Sequence, residues 1–238
     1  MLVEKIDERL LEKLRDDNRD STDVFRCSSS GSCTRQLAYK KLGYEGEELS
    51  ARALKVFRMG DLVEADLVDA LGELLTDAQA EITCDLGEVK LSGHIDGTYF
   101  CPELKEKFVI DFKSINTRGF ARAAKGEVDD KYKAQMNCYM HALGLRRAIL
   151  IYYNKDTSAT CEAVVEYDPT LIQKIKDKFI KVSQATKDNL PDRDYNIDDK
   201  KTGWICNYCS YHFLCYSDRE LCFENRKPKL VLKKKACV

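Results

Sequence analysis

The chain carries Gly93-His94-Ile95-Asp96-Gly97 and, a hairpin's length further on, Val109-Ile110-Asp111-Phe112-Lys113. Both pieces read as strands, and both place charge where a strand usually places apolar side chains. Side chains alternate along a strand, so Asp111 and Lys113 share one face while Ile110 and Phe112 share the other. Phe108-Val109-Ile110 is too apolar for an open solvent strand, so the carboxylate and the amine are expected at least half buried and in need of partners. Asp96 becomes such a partner if the strand ending at Gly97 pairs with the strand around Asp111 as a hairpin. Two carboxylates then meet beside an ammonium. That arrangement attracts a divalent cation bound through oxygen and leaves Lys113 to hold a water or a phosphate near it. An isolated Asp-x-Lys is more often a solvated strand face or an exposed ion pair, so the surrounding chain has to decide.

The next helical stretch, Ala134-Gln135-Met136-Asn137-Cys138-Tyr139-Met140-His141, puts Gln135 and Tyr139 four residues apart on one face. A Gly-x-x-Asp-Gly strand end, a hydrophobic strand delivering Asp-x-Lys and a helix carrying Gln-x-x-x-Tyr, in that order, resemble the core of the PD-(D/E)XK nucleases and in particular their RecB-like branch. The resemblance implies an α/β protein with a restriction-endonuclease-like core, a central mixed β-sheet flanked by helices. It implies catalytic roles for Asp96, Asp111, Lys113, Gln135 and Tyr139. In RecB-like relatives a helix before the hairpin completes the metal site with a histidine or glutamate. Arg58-Met59-Gly60-Asp61-Leu62-Val63-Glu64 resembles it and makes Glu64 the candidate, with Asp61 or Asp66 as substitutes and a merely carboxylate-rich surface helix as the plain alternative. Asp96, Asp111, Glu64 and the backbone carbonyl of Phe112 would then hold one or two Mg2+ or Mn2+ ions.

Helical periodicity is expected over Glu4–Asn18, over Cys33–Leu42 with Cys33 in its first turn, over Ser50–Leu75 with Gly60 as a break or a point of close approach, and over Leu171–Asn189 with Pro191 closing it. Glu81–Phe100 alternates as two strands turning near Gly87. Ala148–Tyr153 is a continuous apolar run that reads as a buried central strand, and Cys161–Tyr167 as another. Between the catalytic strand and the Gln135 helix, Asn116–Lys133 carries Arg118, Arg122, Lys125, Lys131 and Lys133, a loop or short helix suited to phosphates or simply a solvated face.

The last third holds Trp204-Ile205-Cys206-Asn207-Tyr208-Cys209-Ser210-Tyr211-His212-Phe213-Leu214-Cys215. A Cys-x-x-Cys brings two thiolates to one ion, Cys215 can be a third, and Cys33 is the candidate for the fourth. One early cysteine and three late ones around a nuclease core resemble the iron–sulfur members of the RecB-like family, among them the CRISPR-associated adaptation exonucleases and AddB-type helicase–nuclease subunits. The resemblance implies a 4Fe-4S cluster on Cys33, Cys206, Cys209 and Cys215; spacing alone leaves zinc as the alternative. Cys27 and Cys222 are nearby substitutes, and Cys84, Cys101, Cys138 and Cys161 read as small core residues. The expected organisation is a nuclease core over 1–200, a cysteine cluster over 201–222 completed by Cys33, and a mobile basic tail over 223–238 in reach of DNA.

With 39 basic and 40 acidic residues, the chain lacks the excess of a non-specific nucleic-acid coat, so nucleic-acid contacts must be local. The charged N-terminus excludes an ordinary secretory signal, no stretch is apolar enough to span a membrane, and eleven cysteines in such a chain suit metal ligation in a reducing cytoplasm. The resemblance, with these features, implies a cytoplasmic metal-dependent DNA exonuclease acting on single strands or DNA ends in repair, recombination or CRISPR adaptation. Integrase or helicase partners follow from the resemblance, and the oligomeric state does not follow from the sequence. The alternative from another class is a catalytically silent or partner-activated DNA-binding scaffold with a structural cluster or zinc.

Overall fold

The computed structural model describes residues 2–16, 23–224 and 227–233. Contacts divide it into two compact units. The first takes in the helix Leu2–Asp16, Phe25–Gly31 and Leu49–Ile180; the second takes in Ser32–Glu48 and the described part of Lys181–Val238. The division follows tertiary packing and not chain order, so 32–48 joins the C-terminal segment instead of the core expected over 1–200.

In the first unit α1 (Leu2–Asp16) packs on α3 (Ala51–Leu71). Ser50 caps α3, its hydroxyl accepting from the Ala53 N–H at 3.2 Å. Gly60 does not break this helix; a Cβ there would touch only Ser114 Oγ at an ordinary 3.7 Å. Two sheets follow. β1 (Glu81–Asp85) and β2 (Lys90–His94) form an antiparallel hairpin turning through Gly87, whose φ of 85° favours glycine. β3 (Gly97–Cys101), β4 (Glu106–Ile115), β5 (Arg147–Asn154) and β6 (Thr160–Glu166) form a mixed sheet in that order, antiparallel except between β4 and β5. The expected two strands over 81–100 are therefore three. The chain leaves the first hairpin at Ile95-Asp96 and starts the second at Gly97.

The parallel β4–β5 pair needs a crossover, and α4 (Thr117–Ala123) and α5 (Asp130–Leu143) supply it. The face of β4 bearing Phe108, Ile110 and Phe112 packs with Leu75 against Leu67, Val68 and Leu71 of α3. The opposite face, with Asp111 and Lys113, looks toward α5. α6 (Pro169–Gln184) ends five residues before the expected Asn189, where reciprocal Thr186–Asn189 backbone bonds begin a turn.

The second unit holds α2 (Thr34–Lys41), α7 (Trp204–Asn207), α8 (His212–Cys215) and an antiparallel hairpin of β7 (Arg219–Glu224) with β8 (Lys227–Leu232). Within the expected mobile tail, Lys227–Leu232 is the second strand of this hairpin, with Leu230 buried; Cys237 lies outside the described residues. Among the described residues no helix is long and apolar enough to cross a membrane.

Candidate active site

Where β2 ends and β3 has not begun, Asp96 sits on a bend, 9 % exposed. Pairing of β3 with β4 starts at Gly97↔Ile110, so the edge of β4 beyond Ile110 has lost its neighbour. Asp96 Oδ2 fills that gap, accepting the Phe112 N–H at 2.7 Å. In a strand the N–H and C=O of one residue point to the same side, which turns the Phe112 carbonyl to the same gap. The two glycines flanking this bend serve close approach. A Cβ at Gly97 would lie 2.5 Å from the Leu75 side chain, and one at Gly93 would lie 2.9 Å from Tyr139 Cε1 and 3.1 Å from Cys27 Sγ.

Asp111 is 1 % exposed. Its Oδ1 accepts from Gln135 Nε2 at 3.1 Å; the same amide donates to the Tyr139 hydroxyl oxygen at 2.9 Å, and that hydroxyl donates to the His94 carbonyl at 2.9 Å. One chain of bonds therefore ties α5 to β4 and to the end of β2. Asp111 Oδ2, fully buried, lies 2.5 Å from Lys113 Nζ as an ion pair. The Lys113 ammonium also sits 5.3 Å from the centre of the Tyr132 ring, which stands edge-on to Tyr152. Tyr132 escaped the sequence reading, although it lies seven residues before Tyr139 and so on nearly the same helical face.

Electrostatics agree with the geometry. Burial first, then repulsion from Asp111 and Glu64, pushes the Asp96 carboxyl up to about 8. Burial also raises Asp111, against the opposing pull of Lys113. Burial works against the charge on Lys113, but Asp111 and Asp96 outweigh it and raise the amine. Glu64 contributes to both carboxyl shifts while its Oε1 accepts from Gln79 Nε2 at 2.9 Å. It lines a cleft of about 530 Å3 with Asp61, Asp69 and Gln79; Asp66 is exposed and not part of that lining.

A hard divalent cation fits the donor set: two buried carboxylates that repel each other, with Glu64 adding to the repulsion. The side chains are not drawn together around one point, since among the described residues no group of three or more His, Cys, Asp or Glu stands at metal-binding spacing. Glu64 is turned to Gln79 and Asp96 to the Phe112 amide.

The cysteines separate into two sets. Cys33, Cys206, Cys209 and Cys215 line one cavity of about 30 Å3 in the second unit. Cys33 is the residue just before α2, with ψ 132°, and not in its first turn. Burial raises the Cys206 and Cys209 thiols, the latter to about 11, and the neighbouring cysteines add to it. Four sulfurs suit a soft centre. Among the described residues these thiols do not stand at metal-binding spacing, so the lining offers soft donors without a formed site. Cys27 is not in this cavity: it is fully buried in the first unit, where its thiol meets those of Cys84 and Cys138. Cys101 and Cys161 are half-buried, and Cys222 is exposed on β7.

An open mixed sheet flanked by helices, with buried Asp-x-Lys on one strand and Gln-x-x-x-Tyr on the crossover helix, is the frame of a nucleic-acid-cleaving fold. The family model of the PD-(D/E)XK nuclease superfamily matches residues 2–216. The chain belongs to that superfamily and is a nuclease. Among solved structures it is similar to SSO0001, with 19% identity and a TM-score of 0.57, over 90% of this chain and 96% of that one. It is also similar to LHK-Exo, an alkaline exonuclease from Laribacter hongkongensis, solved in complex with dAMP (18% identity, TM-score 0.46, 63% of this chain and 77% of that one) and by itself (18% identity, TM-score 0.43, 63% and 75%). No curated protein matches the sequence.

Proposed function

We propose that this nuclease is a metal-dependent deoxyribonuclease of the exonuclease kind. The observation that carries the catalytic part is Asp111, buried beside Lys113 and held from behind by Gln135 and Tyr139. Asp96 and Asp111, with Glu64 and the Phe112 carbonyl, would hold one or two Mg2+ or Mn2+ ions. When bound, such an ion acidifies an attacking water and offsets charge that builds on the scissile phosphate. The residues divide the remaining work. Gln135 and Tyr139 hold the Asp111 carboxylate in one orientation, so no reorganisation is needed when substrate arrives. The ion pair and the Tyr132 ring keep Lys113 charged and aimed across the site, where it orients a water or donates to the phosphate oxygens. Asp96 fixes the open edge of β4, so the Phe112 carbonyl and Asp111 keep their register. DNA as substrate and attack from an end follow from the motif resemblance to RecB-like exonucleases. In the second unit the four cysteines would hold a structural 4Fe-4S cluster or a zinc ion.

Asp111→Asn and Lys113→Met, purified with the same cofactor content as the native chain, are expected to lose cleavage while keeping the native circular-dichroism spectrum. Native-like cleavage by either folded variant removes the assignment and leaves a silent scaffold as the reading.

A further inference from the structure

Within Trp204-Ile205-Cys206-Asn207-Tyr208-Cys209 the thiols of Cys206 and Cys209 face the cavity, while Trp204 and Tyr208 face away from it. These two rings are 60% and 61% exposed, unusual for side chains that could bury so much apolar area. They stand edge to face, centroids 6.2 Å apart at 76°. Their base is fixed. Asn207 Oδ1 accepts the Leu230 N–H at 3.1 Å, and Gly203 is packed so closely that a Cβ would lie 2.2 Å from the Ile197 carbonyl oxygen. Lys200 and Lys201 lie just before the rings, exposed and in no ion pair among the described residues. The nearby acids are engaged: Asp198 is held by Arg219 at 3.0 Å, and Asp199 accepts the Lys201 and Thr202 N–H groups at 2.7 and 2.9 Å.

We infer that Trp204 and Tyr208 form a stacking platform for the bases of single-stranded nucleic acid, with Lys200 and Lys201 taking the adjoining phosphates. This rests on the reading that the chain acts on nucleic acid, and it names the strand form. Exposed aromatic rings with exposed lysines close by in the chain are what an unpaired strand uses, because every base offers a face to stack and every linkage a charge. A duplex hides its base faces and gains only the charge contact. Two rings are too small an area for a stable protein interface, which needs roughly 800 Å2 from each partner.

Trp204 is the single tryptophan of the chain, so its emission reports directly on the platform. The full chain, in chelator to stop cleavage, is titrated with oligothymidylate and with a duplex of equal length. The expected result is saturable quenching by the single strand and little by the duplex. Tyr208→Ala should weaken the single-strand affinity on the order of tenfold, and Tyr208→Phe should restore it. In cleavage assays with metal, Trp204→Ala should raise KM for single strands by a similar factor with kcat unchanged. Unchanged emission from a protein that still cleaves single strands overturns the platform and leaves the nuclease reading intact. Quenching by a protein that cleaves nothing upholds the platform while the nuclease reading fails. Emission that changes with protein concentration alone marks a contact between copies of the chain and overturns the inference.

Discussion

Asp111 and Lys113 are a buried ion pair of the kind whose net contribution to stability is small while its rupture is costly, about 3–5 kcal/mol when one partner is removed. Lys113→Met therefore tests chemistry under a large stability penalty, and Gln135→Ala tests it under a smaller one, the cost of leaving buried acceptors without their donor. Removing this amide frees Asp111 Oδ1 and the Tyr139 hydroxyl together. We expect kcat to fall on the order of 10- to 100-fold with a stability loss of about 1–3 kcal/mol; an unchanged kcat in the folded variant would show that the bond chain is ornamental. Asp96 makes a pH prediction. Its folded value of about 8 lies above the ordinary 3.8, so between those limits the folded chain holds a proton that the unfolded chain has released. This group's contribution to the stability of chelator-treated protein is then present below about pH 4, lost as pH rises toward about 8, and flat beyond. Asp96→Asn keeps an oxygen for the Phe112 amide and removes the titration. In chelator it should match the native protein near pH 4 and exceed it near pH 9 by on the order of 1–3 kcal/mol. Melting curves across pH that run parallel would refute this, and added Mg2+ should stabilise the native chain most at the alkaline end.

The element that organises the site is the break between β2 and β3, and here the sequence was only partly legible. Alternation showed that Asp111 and Lys113 share a face, and the Gln135–Tyr139 spacing placed both on one side of a helix. It did not show that the stretch through Asp96 is two strand ends with a bend between them, because Gly93, Ile95 and Gly97 fit a continuous strand equally well. What divides them is tertiary: β2 pairs with β1, β3 with β4. The glycines were legible as signals but not in their reason, which is space against Tyr139 and Leu75. Gly93→Ala forces the Tyr139 ring or the Cys27 thiol to move. It is expected to cost about 1–3 kcal/mol and to lower cleavage as well, since the displaced hydroxyl no longer meets Gln135 and His94. Full activity in a destabilised Gly93→Ala protein would detach the ring from function. Tyr132, by contrast, was readable from its helical position, but nothing in the sequence says that a lysine from β4 reaches its ring.

For the molecule as a whole, the cysteine pattern pointed to four residues from two distant stretches, and those four line one cavity. Their separation from the buried Cys27, Cys84 and Cys138 was not legible, because small buried thiols and ligand thiols look alike until the fold assigns neighbours. The unit boundary was hidden for the same reason: 32–48 follows the first core segment in sequence and packs with the last segment in space. A centre held by Cys33 would close a long loop, so on that proposal Cys33→Ser is expected to lower the melting temperature and to speed proteolysis of the 181–233 segment. Anaerobically purified protein that is brown, with iron and sulfide in proportion, identifies the cluster; colourless protein with one zinc identifies the alternative.

On the proposed assignment Asp96, Asp111 and Lys113 make a working metal-dependent nuclease. The direct measurement is cleavage of end-labelled single- and double-stranded DNA with Mg2+, Mn2+ or chelator, comparing the native chain with folded Lys113→Met. Metal-dependent release of label by the native chain alone is the result expected. Equal cleavage by both proteins, or none by cofactor-replete native protein with either metal, would contradict it.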